Sequence, residues 1–251
     1  MRKSITDSIL KNIFITIMGF SVFLSGCSAA TSNYRIESVV PRESFVKMLA
    51  VVEARMCIDS KEQKSCQSHK MRAYASGAIV KRNESGSWIL TAGHVCDTSD
   101  LTSGAPQIEG ATIDFDVKIL ASPENGEQFQ TKIVRIDTTI DSCLLYAKNM
   151  TRWKPIRIRT SPVKHGEILY NIASPLGVAT PEMVPVLNGH YSGDLSFTRS
   201  AYTIPAAPGS SGSPIFDRRG KLVGMIHSVY IRFPFLSFGP TQKRLLEFLD
   251  H

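Results

Sequence analysis

Apolar residues along this chain come in short runs and alternating stretches, with few helical stripes. Residues 44–52 carry Phe45, Val46, Met48, Leu49, Val51 and Val52, a β-branched and apolar run read as a buried strand. A helix is the alternative reading of so short a run. A polar loop bounded by Cys57 and Cys66 follows, then a second strand over 75–80. The Asn-Glu-Ser-Gly-Ser segment at 83–87 is a turn signal, and 88–91 (Trp-Ile-Leu-Thr) is a third strand. From Thr112 to Arg135 the pattern alternates through Ile113, Phe115, Val117 and Ile119, then Phe129 and Ile133, broken by a Ser-Pro-Glu-Asn-Gly turn at 122–126. A strongly apolar strand begins directly after Asp141.

Pro155 and the basic residues of 148–155 mark a joint between two halves. The second half repeats the theme with short strands at 156–158, 167–172 and 184–187, and on both sides of Ser211. No long amphipathic helix separates any of these, which predicts an all-β sandwich or barrel. One helix is expected, over 240–249, where Thr241 can cap the start and Leu245, Leu246, Phe248 and Leu249 form an apolar face.

The chain has 251 residues, enough for one large all-β domain or two small ones. Its 43% apolar and 20% charged residues, without repeats or low-complexity tracts, belong to a globular protein. The net charge of +7 is spread over scattered Lys and Arg, so no nucleic-acid-binding face is indicated. A basic surface near an anionic membrane is the milder alternative. The first 26 residues read as a secretory leader: Arg2, Lys3 and Lys11 precede a short apolar run at 13–24. That run falls short of the roughly 20 residues a comfortable transmembrane helix needs. It ends in Leu24-Ser25-Gly26-Cys27, which resembles the bacterial lipobox and implies lipidation of Cys27. More than one acyl chain would anchor the protein stably; an ordinary signal peptide or an uncleaved anchor is the alternative. Residues 27–43 are polar and irregular, a tether from a membrane.

Four further cysteines, Cys57, Cys66, Cys96 and Cys143, read as two disulfides in an exported chain, with three possible connectivities. Local pairing of Cys57 with Cys66 is one option. A zinc site using Cys57, Cys66 and His69 is another, but it lacks a convincing fourth ligand, and no metal or cofactor is expected.

The sharpest candidate chemistry lies at 207–216, Ala-Pro-Gly-Ser-Ser-Gly-Ser-Pro-Ile-Phe. Gly209 lets the backbone turn N–H groups toward one point beside Ser211, as a nucleophilic serine requires. A serine alone is a weak nucleophile and needs a base and an orienting acid. Of six histidines, His94 stands out, because strand 88–91 gives way to Ala92-Gly93 and then to it. Asp141 is the acid candidate: a carboxylate entering a buried strand is costly unless paired, and an imidazole N–H is a fitting partner. Asp137 competes but suits a turn.

Together Leu-Thr-Ala-Gly-His-Val at 90–95, Asp-Ser-Cys-Leu-Leu at 141–145 and Gly-Ser-Ser-Gly-Ser-Pro at 209–214 resemble the three catalytic motifs of chymotrypsin-like (trypsin-fold) serine proteases. The nearer likeness is to the bacterial HtrA/trypsin-like peptidase group, supported by Gly166-Glu167-Ile168, Ala173-Ser174-Pro175-Leu176-Gly177 and residues 220–226. The resemblance covers about 44–250. It implies two six-stranded antiparallel β-barrels, about 44–150 and 153–239, and a terminal helix at 241–249. The implied roles are Ser211 as nucleophile, His94 as base, Asp141 as orienting acid, and the N–H groups of Gly209 and Ser211 as oxyanion hole. The substrate is then a protein or peptide. An α/β-hydrolase is excluded, because Ser213 breaks the Gly-x-Ser-x-Gly elbow and too little chain follows Ser211. Since His94 and Asp141 must meet, and each has a cysteine two residues later, the resemblance also implies a Cys96–Cys143 bridge. Ser210 stands where many relatives carry Asp or Asn, which casts doubt on activation by a new N-terminus.

The resemblance assigns the primary pocket to the residues upstream of the nucleophile and after Gly224, among them Thr203, Ala206, His227 and Ser228. No acid lies among them, which argues against a Lys/Arg preference. His227 resembles a histidine that bacterial glutamyl endopeptidases use for acidic side chains, and a preference for small-to-medium apolar ones is at least as strong an expectation. Two alternatives to a general endopeptidase stay open: a catalytically silent binding protein on the same fold, and a maturation protease with one dedicated target.

Overall fold

A computed structural model of the chain describes residues 40–59, 64–97 and 111–250. The leader, Cys27 and the tether up to residue 39 lie outside the described residues. Strands β1 (Phe45–Asp59), β2 (Lys64–Asn83), β3 (Gly86–Ala92), β4 (Ala111–Ser122), β5 (Phe129–Asp137) and β6 (Ser142–Lys148) close a barrel in the order β1-β2-β3-β6-β5-β4. Every neighbouring pair is antiparallel. The alternation read in the sequence is the reason: in β4, exposed Thr112, Asp114 and Asp116 alternate with half-buried Ile113, Phe115 and Val117. Val46, Met48, Ile79, Ile89, Leu145 and Trp153 fill the barrel.

The second half contributes β7 (Arg157–Ile158), β8 (Ile168–Ile172), β9 (Val186–Asp194), β10 (Arg199–Tyr202), β11 (Ser213–Phe216), β12 (Lys221–Ile226), β13 (Ser228–Val229) and β14 (Ser237–Pro240). They form one eight-stranded sheet, β13-β14-β10-β9-β8-β11-β12-β7, where six strands were expected. The two-residue strands β7 and β13 end the sheet and are too short to show any periodicity; β7 lies parallel to β12. Barrel and sheet belong to one unit, Val39–His251. They share a core: Phe45, Ala78, Leu90 and Ile140 of the barrel half pack with Ile172, Phe216, Leu222 and Met225 of the sheet.

A one-turn helix, α1 (Gly93–Cys96), follows β3, and α2 (Gln242–Asp250) ends the described chain. Thr241 starts α2, its carbonyl accepting from Leu245 N at 2.9 Å and its hydroxyl from Arg244 N at 3.4 Å. The helix buries Leu245 and Phe248 in the shared core, as the apolar face predicted. Among the described residues no helix is long and apolar enough to cross a membrane.

The sequence reading treats the stretch between Cys57 and Cys66 as a loop. Both cysteines instead sit opposite each other in a long β1–β2 hairpin and are joined by a disulfide. Residues 65–74 of this arm are exposed, so water contacts both faces and no alternation marks the strand.

Candidate active site

His94 and Asp141 come from adjacent strands. β3 delivers the chain into α1, which carries His94, and the turn between β5 and β6 carries Asp141. Gly93 permits the approach: a Cβ there would lie 2.9 Å from Asp141 Oδ1 and 3.0 Å from the Ser142 nitrogen. Asp141 itself takes a left-handed conformation, φ 48°, uncommon for a residue with a side chain. Its carboxylate holds His94 twice. His94 N donates to Oδ1 at 2.8 Å, and ring Nδ1 lies 2.9 Å from Oδ2. Two residues on, Cys96 and Cys143 form a disulfide that staples α1 to β6. Burial pushes the Asp141 carboxyl up, but the bonds from His94 and the charges of His94 and His227 outweigh it. The net shift is downward from its ordinary value, so the carboxylate is ionised at neutral pH.

Three serines lie together after Gly209, and their surroundings differ. Ser213 is fully buried and its Oγ accepts from Asn171 Nδ2 at 2.9 Å. Ser210 is buried, and its Oγ accepts from Ala207 N at 3.3 Å, which closes a local turn. Ser211 is half-buried, and its hydroxyl makes no hydrogen bond among the described residues, to His94 or to any other group. Such contacts are often open without substrate and tighten when it binds.

The backbone of this loop is selectively occupied. Ser210, Gly212 and Ser213 donate their N–H groups to Ala207, Ile226 and Ser210. The N–H groups of Gly209 and Ser211 donate to no carbonyl among the described residues. Gly209 has φ +97° and Gly212 φ +85°, values that favour glycine. A Cβ on Gly212 would also meet Ser76 O at 2.1 Å and Thr91 Oγ1 at 2.2 Å.

Ser76 was not singled out in the sequence. It is fully buried and makes four bonds, two to the Ser211 loop, one to Ser174 after β8 and one to Thr91 of β3. Its Oγ donates to Gly209 O at 2.8 Å and accepts from Ser174 N at 2.9 Å. Its N donates to Ser211 O and its carbonyl accepts from Thr91 Oγ1, each at 2.8 Å. The one available signal was the small-residue run Ala75-Ser76-Gly77-Ala78, which alone reads as an ordinary strand.

The four pocket candidates fall in different surroundings. Ala206 is buried, its N donating to Pro234 O at 3.0 Å. Thr203 is exposed and bonded to His190 through its hydroxyl and its N. Ser228 Oγ accepts from Arg199 at 3.3 Å. His227 is half-buried, with Nδ1 3.6 Å from Asp141 Oδ2, so it stands against the acid. Arg199 was missed as well, since nothing marks it as different from other scattered cations. The zinc alternative is removed by the Cys57–Cys66 bond, and no group of three or more His, Cys, Asp or Glu among the described residues could hold a metal.

A barrel and a sheet sharing one core, with His, Asp and Ser loops meeting at the junction, define the trypsin fold. The chain belongs to the trypsin-like peptidase domain family, whose model matches residues 75–225, and it is a serine endopeptidase acting on proteins or peptides. Solved structures of the same fold are similar at low identity. A protease from M. tuberculosis in its active form is 16% identical with a TM-score of 0.58, over 86% of this chain and 82% of that one. An inactive form with a serine-to-alanine mutation is 15% identical with a TM-score of 0.56, over 87% and 90%. A serine endoprotease from Yersinia pestis is 17% identical with a TM-score of 0.58, over 87% of this chain and 65% of that one. A search of curated proteins finds no match.

Proposed function

We propose that the endopeptidase works through Ser211, His94 and Asp141. His94 takes the Ser211 proton as Oγ attacks the scissile carbonyl, and Asp141 offsets the charge that develops on the imidazole. The developing oxyanion is held by the N–H groups of Gly209 and Ser211. His94 then returns its proton to the leaving amine, giving an acyl-enzyme that water hydrolyses in the reverse sense. One observation carries this reading. Asp141 holds His94 at 2.9 Å, and among the three serines beside Gly209 only the Ser211 hydroxyl is neither fully buried nor bonded. The bridges suit an oxidising compartment such as the periplasm or the extracellular space. The basic leader and the lipobox-like Leu24–Cys27 sequence support export and anchoring to the envelope through lipid on Cys27. Hydrolysis of fluorescein-labelled casein by the wild type and by Ser211→Ala tests the chemistry: turnover that survives the substitution contradicts it. Detergent-phase partitioning that is unchanged in Cys27→Ala contradicts the anchor.

A further inference from the structure

Behind Asp141 lies a second imidazole that the triad does not use. His227 links β12 to β13, and its backbone is fixed: its N donates to Phe238 O at 2.9 Å, and the preceding Ile226 carbonyl accepts from Gly212 N at 2.7 Å. The same short segment therefore touches both the nucleophile loop and the acid. The His227 side chain is 11% exposed, and its Nδ1 is buried with no hydrogen-bond partner among the described residues. A buried ring nitrogen without a partner is costly. The carboxylate within reach is Asp141, whose Oδ2 is 3.6 Å away, about half an ångström beyond a good bond.

We propose that His227 is a positioning residue for Asp141: as a neutral imidazole protonated on Nδ1 it donates to Oδ2, so that one carboxylate is held between two rings. This rests on Asp141 being the triad acid. Three further observations support it. Asp141 has a positive φ, a strained placement that persists only when its surroundings over-determine it. Burial disfavours the charged form of His227 most; Asp141 pulls the other way, while Arg199 and His94, the other charged or titratable groups acting on the ring, reinforce burial. A neutral donor orients Asp141 without cancelling its charge, which a protonated His227 would do. The carboxylate then stays anionic, with part of its charge taken up by the donated bond and the rest facing His94.

The test uses the whole protein and a fluorophosphonate, which reports Ser211 activation without the substrate pocket. His227→Ala is expected to slow labelling about 10- to 100-fold, consistent with the cost of misplacing a catalytic group. It should also move the acid limb of the rate–pH profile upward, because the Asp141 charge falls more heavily on His94. His227→Asn, which keeps a donor, should recover most of the rate. In parallel, ¹⁵N-detected NMR of folded Ser211→Ala should show neutral His227 protonated on Nδ1. A wild-type rate and unchanged limb in His227→Ala, or an Nε2–H tautomer, overturns the proposal. If Asp141→Asn labels as fast as the wild type, the triad reading has failed instead, and the tautomer still reports on His227.

Discussion

Ser76 of the barrel donates its hydroxyl to the Gly209 carbonyl at 2.8 Å, so the Gly209–Ser210 peptide beside Ser211 is fixed by the other half of the molecule. Ser76→Ala strands both Gly209 O and Ser174 N in a buried place, at about 1–3 kcal/mol for each unsatisfied group. Urea unfolding should show that loss. The Gly209–Ser210 peptide that leads into Ser211 is also freed, so the fluorophosphonate labelling rate should fall about 10- to 100-fold.

Gly212 makes a sharper case. With φ +85° and a Cβ position 2.1 Å from Ser76 O, Gly212→Ala meets rigid backbone as well as a strained dihedral. The variant should lose labelling almost completely even where circular dichroism reports a folded protein. Retained activity would mean that the loop moves more freely than its contacts allow.

The three loops that carry the proposed site could be picked out because their signals are local. Gly93-His94, Asp141 before an apolar strand and Gly209 to Ser213 each carry their meaning within a few residues. The barrel was legible because one face of each strand is buried, which writes the alternation into 112–135. What stayed hidden depends on partners far away in sequence. Ser76 bonds to Gly209 and Ser174, which lie 133 and 98 residues away in sequence. His227 read as a pocket residue because position after Gly224 says nothing about which way a ring turns. β10 and β14 escaped notice because Ser200 and Ser237, although fully buried, break the apolar pattern.

The disulfides should divide in their effects. In the chain-entropy description a bridge spanning 47 residues is worth about 4 kcal/mol, and one spanning 9 residues between two and three. Replacing Cys96 and Cys143 together by serine should lower both the melting temperature and the labelling rate, since that bridge staples α1 to β6. Replacing Cys57 and Cys66, which join β1 only to its hairpin partner β2, should lower stability less and leave the labelling rate near wild type. Equal losses of rate in both pairs would contradict the staple.

Acid should destabilise the fold in two stages. Burial depresses His227 to about 4 from an ordinary 6.5, so between those values the unfolded chain binds a proton that the folded one does not. Stability therefore rises with pH across that window and is lost on acidification from 6.5 to 4, by at most about 3 kcal/mol. Asp141, held below its ordinary 3.8, contributes stability that is present above that value and lost as pH falls through its folded one. Urea midpoints at pH 7, 5.5 and 4 measure the first stage, which His227→Ala should flatten.

The triad itself is tested most directly by the intact mass of the protein after fluorophosphonate treatment, followed by peptide mapping. The wild type should gain a single adduct on Ser211, Ser211→Ala none, and Asp141→Asn the same adduct at a rate lowered by about 10⁴. An unmodified wild-type protein that is demonstrably folded, or an adduct that persists in Ser211→Ala, would contradict the assignment of Ser211, His94 and Asp141.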